Sequence, residues 1–176
     1  MRLLILIPLA ALSIAAACAQ QISSKMDAQV ALQYYLSYPS EGEPIVSDPA
    51  LLMSVAYRPD AHYALGIGSG LLVPYYHTTL VPVYLQLEVN PFSTIRIFTT
   101  VKGGELIPLD AENFEGGRFL EGIVGYDLPS STHVNWRFGV GFSRQSMVLA
   151  YADPWQGERE ISYSFQRLTF SIGVIF

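Results

Sequence analysis

The chain has 176 residues, enough for one domain, and is 51% hydrophobic but only 14% charged, against about 25% charged in an average soluble domain. Its net charge is -5 with a single cysteine, which speaks against a nucleic-acid-binding surface and against a disulfide framework. After Gln20 no apolar run approaches the roughly 18 residues of a membrane-spanning helix.

Residues 1–19, MRLLILIPLAALSIAAACA, have the layout of a secretory signal peptide: Arg2, an apolar stretch from Leu3, then small residues ending in Ala17-Cys18-Ala19. Cleavage after Ala19 removes the only cysteine and Arg2, leaving nine basic against fifteen acidic residues. Residues 20–24 then form a short N-terminal segment and 25–176 the folded domain.

From there the apolar period is two rather than 3.6, so the expected elements are strands. The first, 25 to 38, puts Met26, Ala28, Val30, Leu32, Tyr34 and Leu36 on one face and Asp27, Gln29, Gln33 and Ser37 on the other. The second, 50 to 58, sets Leu51, Met53, Val55 and Tyr57 against Ser54, Ala56 and Arg58. In the third, 62 to 72, Tyr63, Leu65, Ile67 and Leu71 oppose Ala64, Gly66, Gly68 and Gly70. The fourth, 80 to 90, alternates most cleanly, with Val81, Val83, Leu85, Leu87 and Val89 opposite Pro82, Tyr84, Gln86, Glu88 and Asn90.

The fifth strand, 94 to 102, sets Ile95, Ile97, Thr99 and Val101 against Arg96, Phe98, Thr100 and Lys102. The sixth, 118 to 128, has Leu120, Val124, Tyr126 and Leu128 opposite Phe119, Glu121, Gly125 and Asp127. In the seventh, from Val134, Trp136, Phe138, Val140 and Phe142 oppose Asn135, Arg137, Gly139, Gly141 and Ser143. The eighth ends the chain with Leu168, Phe170, Ile172, Val174 and Phe176 against Arg167, Thr169, Ser171 and Gly173. Upstream of Arg167 its apolar residues change parity to Ile161, Tyr163 and Phe165, the mark of a bulge or of the end of a membrane zone.

Connections after the second, fourth and sixth strands are short, 59–61, 91–93 and 129–133; those after the odd strands are longer or more polar, 39–49, 73–79, 103–117 and 153–159. Short and long connections at opposite ends describe an up-and-down meander. One face of every strand is aliphatic and aromatic, and the other carries Arg, Glu, Gln, Asn, Ser and Gly. A charge on the apolar face would cost about 2–4 kcal/mol at a bilayer midplane, and an open sheet edge in hydrocarbon would leave backbone groups unpaired. The expected fold is therefore all-β: an eight-stranded antiparallel up-and-down transmembrane β-barrel, the eighth strand closing on the first. Tyr57, Tyr63, Tyr126, Trp136 and Phe176 are expected at the interface nearest the short turns, and Tyr34, Tyr75, Tyr76, Tyr151 and Trp155 at the other.

The eight-strand plan, the hairpin Leu80 to Gly104 and the last strand ending in Phe resemble the small eight-stranded outer-membrane barrels of Gram-negative bacteria, of the OmpA/OmpX type. The resemblance implies an outer-membrane location with both termini and the short turns periplasmic. It implies Phe170, Ile172, Val174 and Phe176 as a C-terminal assembly signal, periplasmic chaperones and the barrel-assembly machinery as partners, and outer-membrane lipids and lipopolysaccharide as surroundings of a monomer.

An eight-stranded barrel is wide enough only for its own side chains or a small ligand. The expected lumen network is Gln86, Glu88, Arg96, Lys102, Glu121, Arg137 and Arg167, with Glu88 and Arg96 facing each other across the Pro91 turn. Gly66-Ile67-Gly68-Ser69-Gly70 lacks the spacing of a phosphate loop, so its inward glycines are read as room for Tyr84, Phe98 and the arginines. His77, the one histidine in a long loop, has no diagnostic spacing to Asp110 or Ser146, so no catalytic residue, cofactor or metal is assigned. The long loops gather Glu41, Glu43, Asp48, Glu105, Asp110, Glu112, Glu115, Asp153, Glu158 and Glu160 around Arg159 alone, a solvated acidic rim with capacity for divalent cations or an external partner. The expected role is non-enzymatic, envelope-structural or surface-interacting, with a narrow channel as the alternative and a lipid A modifying enzyme behind it.

Overall fold

A computed structural model describes the backbone of residues 25–37, 46–73, 79–92, 95–109, 114–130, 134–153 and 157–176. Eight strands follow in chain order: β1 (Met26–Ser37), β2 (Ser47–Tyr57), β3 (Tyr63–Leu72), β4 (Leu80–Val89), β5 (Ile97–Pro108), β6 (Phe114–Leu128), β7 (Asn135–Asp153) and β8 (Gly157–Ile175). Each pairs antiparallel with its sequence neighbours, and β8 pairs with β1, so the sheet is a closed barrel with no free edge. The closure reaches the last residue: Phe176 N donates to Ala28 O at 2.9 Å.

The register fixes the barrel's shape. Paired positions lead from Asp27 through Ala56, Gly66, Gln86, Lys102, Glu121, Ser143 and Arg167 back to β1 at Ser37, a stagger of ten residues. With a rise of about 3.3 Å per residue and strands about 4.8 Å apart, eight strands with that stagger tilt by about 40° on a backbone radius of about 8 Å. This is the tilt of known membrane barrels, about 35–45°.

Period two then sorts side chains to opposite sides of the wall. Leu65, Ile67, Val83, Leu85, Leu120, Val124, Val140 and Phe142 point outward and are all about half exposed or more, Phe142 at 73%. Along β4 the outward row from Val89 to Val81 covers about 20 Å of barrel height at the tilt above. A band of that height and composition on the outside is an inverted surface for a protein in water, and the right one for a protein in hydrocarbon. Tyr57, Tyr63, Tyr126 and Trp136, exposed by 45–52%, ring the end that holds the short turns. Tyr34 is outward toward the other end, whereas Tyr75, Tyr76 and the side chains of Tyr151 and Trp155 lie outside the described residues.

Strand lengths depart from expectation at the loop end. β5 runs on to Pro108 and β6 starts at Phe114, because Gly103 to Pro108 keep pairing with β4 and Leu106 reaches Gly117 across β6. β7 and β8 extend to Asp153 and from Gly157 in unbroken register. The parity change at Phe165 is therefore no bulge: β8 stays in register with β7, and Phe165 packs against the apolar core inside the barrel, while the side chains of Ile161 and Tyr163 lie outside the described residues. Residues 1–24, with the expected signal peptide and the 20–24 segment, lie outside the described residues.

Candidate functional site: the filled lumen

The inward row begins, at the turn end, with a chain of five alternating charges, four on strands and one just after β2. Arg58, just after β2, donates to Asp27 of β1 (Nε to Oδ2, 2.6 Å) and to Glu88 of β4 (Nη2 to Oε1, 2.8 Å). Arg137 of β7 completes it, donating to Glu88 (Nη1 to Oε2, 2.5 Å) and to Asp127 of β6 (Nε to Oδ1, 2.7 Å; Nη2 to Oδ2, 2.8 Å). Its guanidinium stacks over the Phe98 ring at 3.9 Å. The Phe98 ring has room because a Cβ on Gly125 would collide with it, and Gly68 makes the same room for Tyr84. Arg137 is 1% exposed and Glu88 2%, so neither charge is compensated by bulk water; each depends on the other.

One layer further in, Lys102 donates to Glu121 across the β5–β6 ladder (Nζ to Oε1, 2.7 Å). The hydrogen-bond network orients the Gln33 amide so that its oxygen accepts from Lys102 Nζ at 2.8 Å and its nitrogen donates to Tyr35 Oη at 2.6 Å. Tyr84 Oη donates to Met53 O at 3.1 Å, which ties β4 to β2 through the interior. Above this, Tyr35, Leu52, Leu72, Leu80, Tyr84, Leu106, Phe119 and Met147 form an apolar core inside the barrel, with Phe165 against it. Arg167 is ion-paired with Asp48 at that level, both almost wholly buried.

Of the expected network, Glu88, Lys102, Glu121, Arg137 and Arg167 all face the lumen and are buried. Gln86 is also inside, at 2% exposure, with its Oε1 lacking a hydrogen-bond partner among the described residues. Arg96 stands apart. It is exposed in the turn before β5, and Glu88 sits opposite Thr100, which turns its carboxylate to Arg58 and Arg137 instead. Asp48 and Glu105, expected in the acidic loops, are on strands: Asp48 inside on β2, Glu105 outside on β5. His77, His133 and Asp110 lie outside the described residues, while His62 is exposed, its Nδ1 3.0 Å from Asn90 O.

Sequence reasoning missed Asp27, Asp48, Arg58 and Asp127 as network members, although parity alone marks all but Asp48, which lies before the expected start of the second strand. Asp27 is two residues before Gln29, Arg58 two after Ala56, and Asp127 shares the face of Glu121. The apolar inner core was missed for another reason: Leu52, Leu72 and Leu106 share parity with polar lumen residues, and only strand length shows that they sit above the charged layers.

A closed eight-stranded barrel, apolar outside and ion-paired within, belongs to the class of transmembrane β-barrels. Solved structures agree on the fold. The chain is similar to Neisserial surface protein A (10% identity, TM-score 0.57, covering 86% of this chain and 96% of that one) and to outer membrane protein AlkL in DMPC lipid bilayers (10%, 0.56, 86% and 89%). It is similar in the same degree to outer membrane protein OprG from Pseudomonas aeruginosa (10%, 0.55, 86% and 94%). No protein-family model and no curated protein matches the sequence.

Proposed function

We propose that the protein is a non-enzymatic barrel of the Gram-negative outer membrane, with the turn end and both termini in the periplasm and the loops outside. In this reading it works through the surface it presents rather than through a pore. The observation that carries the reading is the filled interior. Two layers of ion pairs, from Asp27 to Asp127 and at Lys102–Glu121, are followed by an apolar core from Tyr35 to Met147. Steady ion flow needs a continuous water path, and the packed apolar core, with the buried Arg167–Asp48 pair beside it, leaves none in this reading. The fold similarity to outer-membrane barrels and the aromatic ring at Tyr57, Tyr63, Tyr126 and Trp136 support the location.

Reconstitution of the refolded chain into planar bilayers tests the sealed lumen. The expected result is an electrically silent membrane; a stable unitary conductance that scales with salt would replace this reading with a channel.

A further inference from the structure

Above the apolar band, on the outside of β6 and β7, the wall carries two arginines. Arg118 follows the outward row of Leu120, and Arg144 that of Phe142; both guanidinium residues are exposed. Leu120 is the cross-strand partner of Arg144, so Arg118 and Arg144 are diagonal neighbours on one face, about 7–8 Å apart at Cα. Neither has a carboxylate within 4.0 Å among the described residues. A hydroxyl touches each residue: Arg144 Nε donates to Ser164 Oγ at 3.4 Å, and Ser146 Oγ bridges the Arg118 backbone, accepting from its N at 3.1 Å and donating to its O at 3.2 Å.

Next to Arg118 the ladder opens. The β6–β7 register shifts between Phe114 and Gly116, and Gly116 has φ of 85°, a conformation glycine adopts without the usual Cβ strain. Beside this break lies a depression of about 280 Å³ bounded by Glu105, Ile107, Gly116, Gly117, Arg118 and Val148. Directly below, Leu120 is 58% and Phe142 73% exposed.

We infer that this corner of the barrel binds the phosphate-bearing headgroup of a lipid in the outer leaflet, its acyl chains lying on Leu120 and Phe142. The inference rests on the orientation proposed above. Two guanidinium groups on one face, neither ion-paired among the described residues, suit a phosphate, which accepts bidentate charge-assisted bonds, and an apolar wall beneath them selects an amphiphile over a free anion. Glu105, opposite Arg118 on β5, repels the same phosphate and sets the sign of a control.

The test measures binding of bisphosphorylated lipid A, and of the same lipid stripped of its phosphates, to the detergent-solubilised barrel by native mass spectrometry. The wild type is expected to prefer the phosphorylated lipid about tenfold. Arg118→Gln/Arg144→Gln is expected to lose most of that preference, and Glu105→Gln to increase it. All three substitutions lie on the outer wall, and heat-modifiable gel mobility verifies folding. Equal binding of the two lipids by the wild type overturns the inference even if the double variant does not fold, as does full competition by millimolar inorganic phosphate. A chain that stays in solution without detergent sinks the location itself, whereas a folded, detergent-dependent barrel indifferent to the phosphates sinks this inference alone.

Discussion

Replacing Arg137 by Met removes the cation that joins two carboxylates at the turn end of the lumen. Glu88, with its side chain 3% exposed, keeps only Arg58; Asp127, at 21%, loses its guanidinium partner but retains some water. Breaking a buried ion pair by deleting one partner costs about 3–5 kcal/mol. Because Glu88 keeps a second cation and Asp127 is partly solvated, the expected loss is about 3 kcal/mol, roughly a hundredfold in the folding equilibrium. Urea unfolding of the refolded barrel in lipid vesicles, followed by tryptophan emission and gel mobility, measures it. Arg58→Met should cost less, since Arg58 is 21% exposed. A double-mutant cycle with Glu88→Gln should recover part of the loss, because the two groups interact directly. A cost under about 1 kcal/mol with no coupling would mean that water fills the turn end and solvates these charges, and the argument for a sealed lumen would fail.

Other perturbations address the wall and the seam. Val83→Arg and Val140→Arg, on outward positions exposed by 48% and 55%, should each destabilise the barrel in lipid by about 2–4 kcal/mol, read as a lower folded fraction on unheated gels. Gly68→Val should cost about 1–3 kcal/mol by overpacking against the Tyr84 ring, and Tyr84→Leu in the same chain should relieve part of that cost in the same unfolding assay. Deleting Phe176, whose backbone pairs with Ala28, should lower membrane-inserted yield in cells more than refolding in detergent; unchanged cellular yield would contradict its role in assembly.

The sequence made the architecture legible because a two-solvent barrel writes its pattern twice, as alternation along every strand and as short and long connections. Where one solvent replaces another, the pattern loses meaning. Gly103 and Glu105 break the outward apolar row of β5, and with Gly104 between them the stretch reads as loop, yet its backbone continues the ladder to β4. Asp48 reads as a loop acid for the same reason, and only the pairing of β2 with β1 up to Ser47 carries it inside to meet Arg167. Which charges pair is set by the ten-residue stagger, since it brings Arg137 of β7 over Glu88 of β4, 49 residues away. No single strand contains that information, and the nearer pair Glu88 and Arg96 was the misleading one.

The central claim is that hydrocarbon touches the outside of the wall and protein fills the inside. Single cysteines at Leu85 and Gln86, adjacent on β4 but on opposite faces, carry a spin label in a chain beginning at Gln20, which has no native cysteine. The account predicts that in bilayers the label at 85 is relaxed by dissolved oxygen and shielded from a water-soluble nickel chelate, while the label at 86 is shielded from both. Ready access of the chelate to position 85 would contradict it.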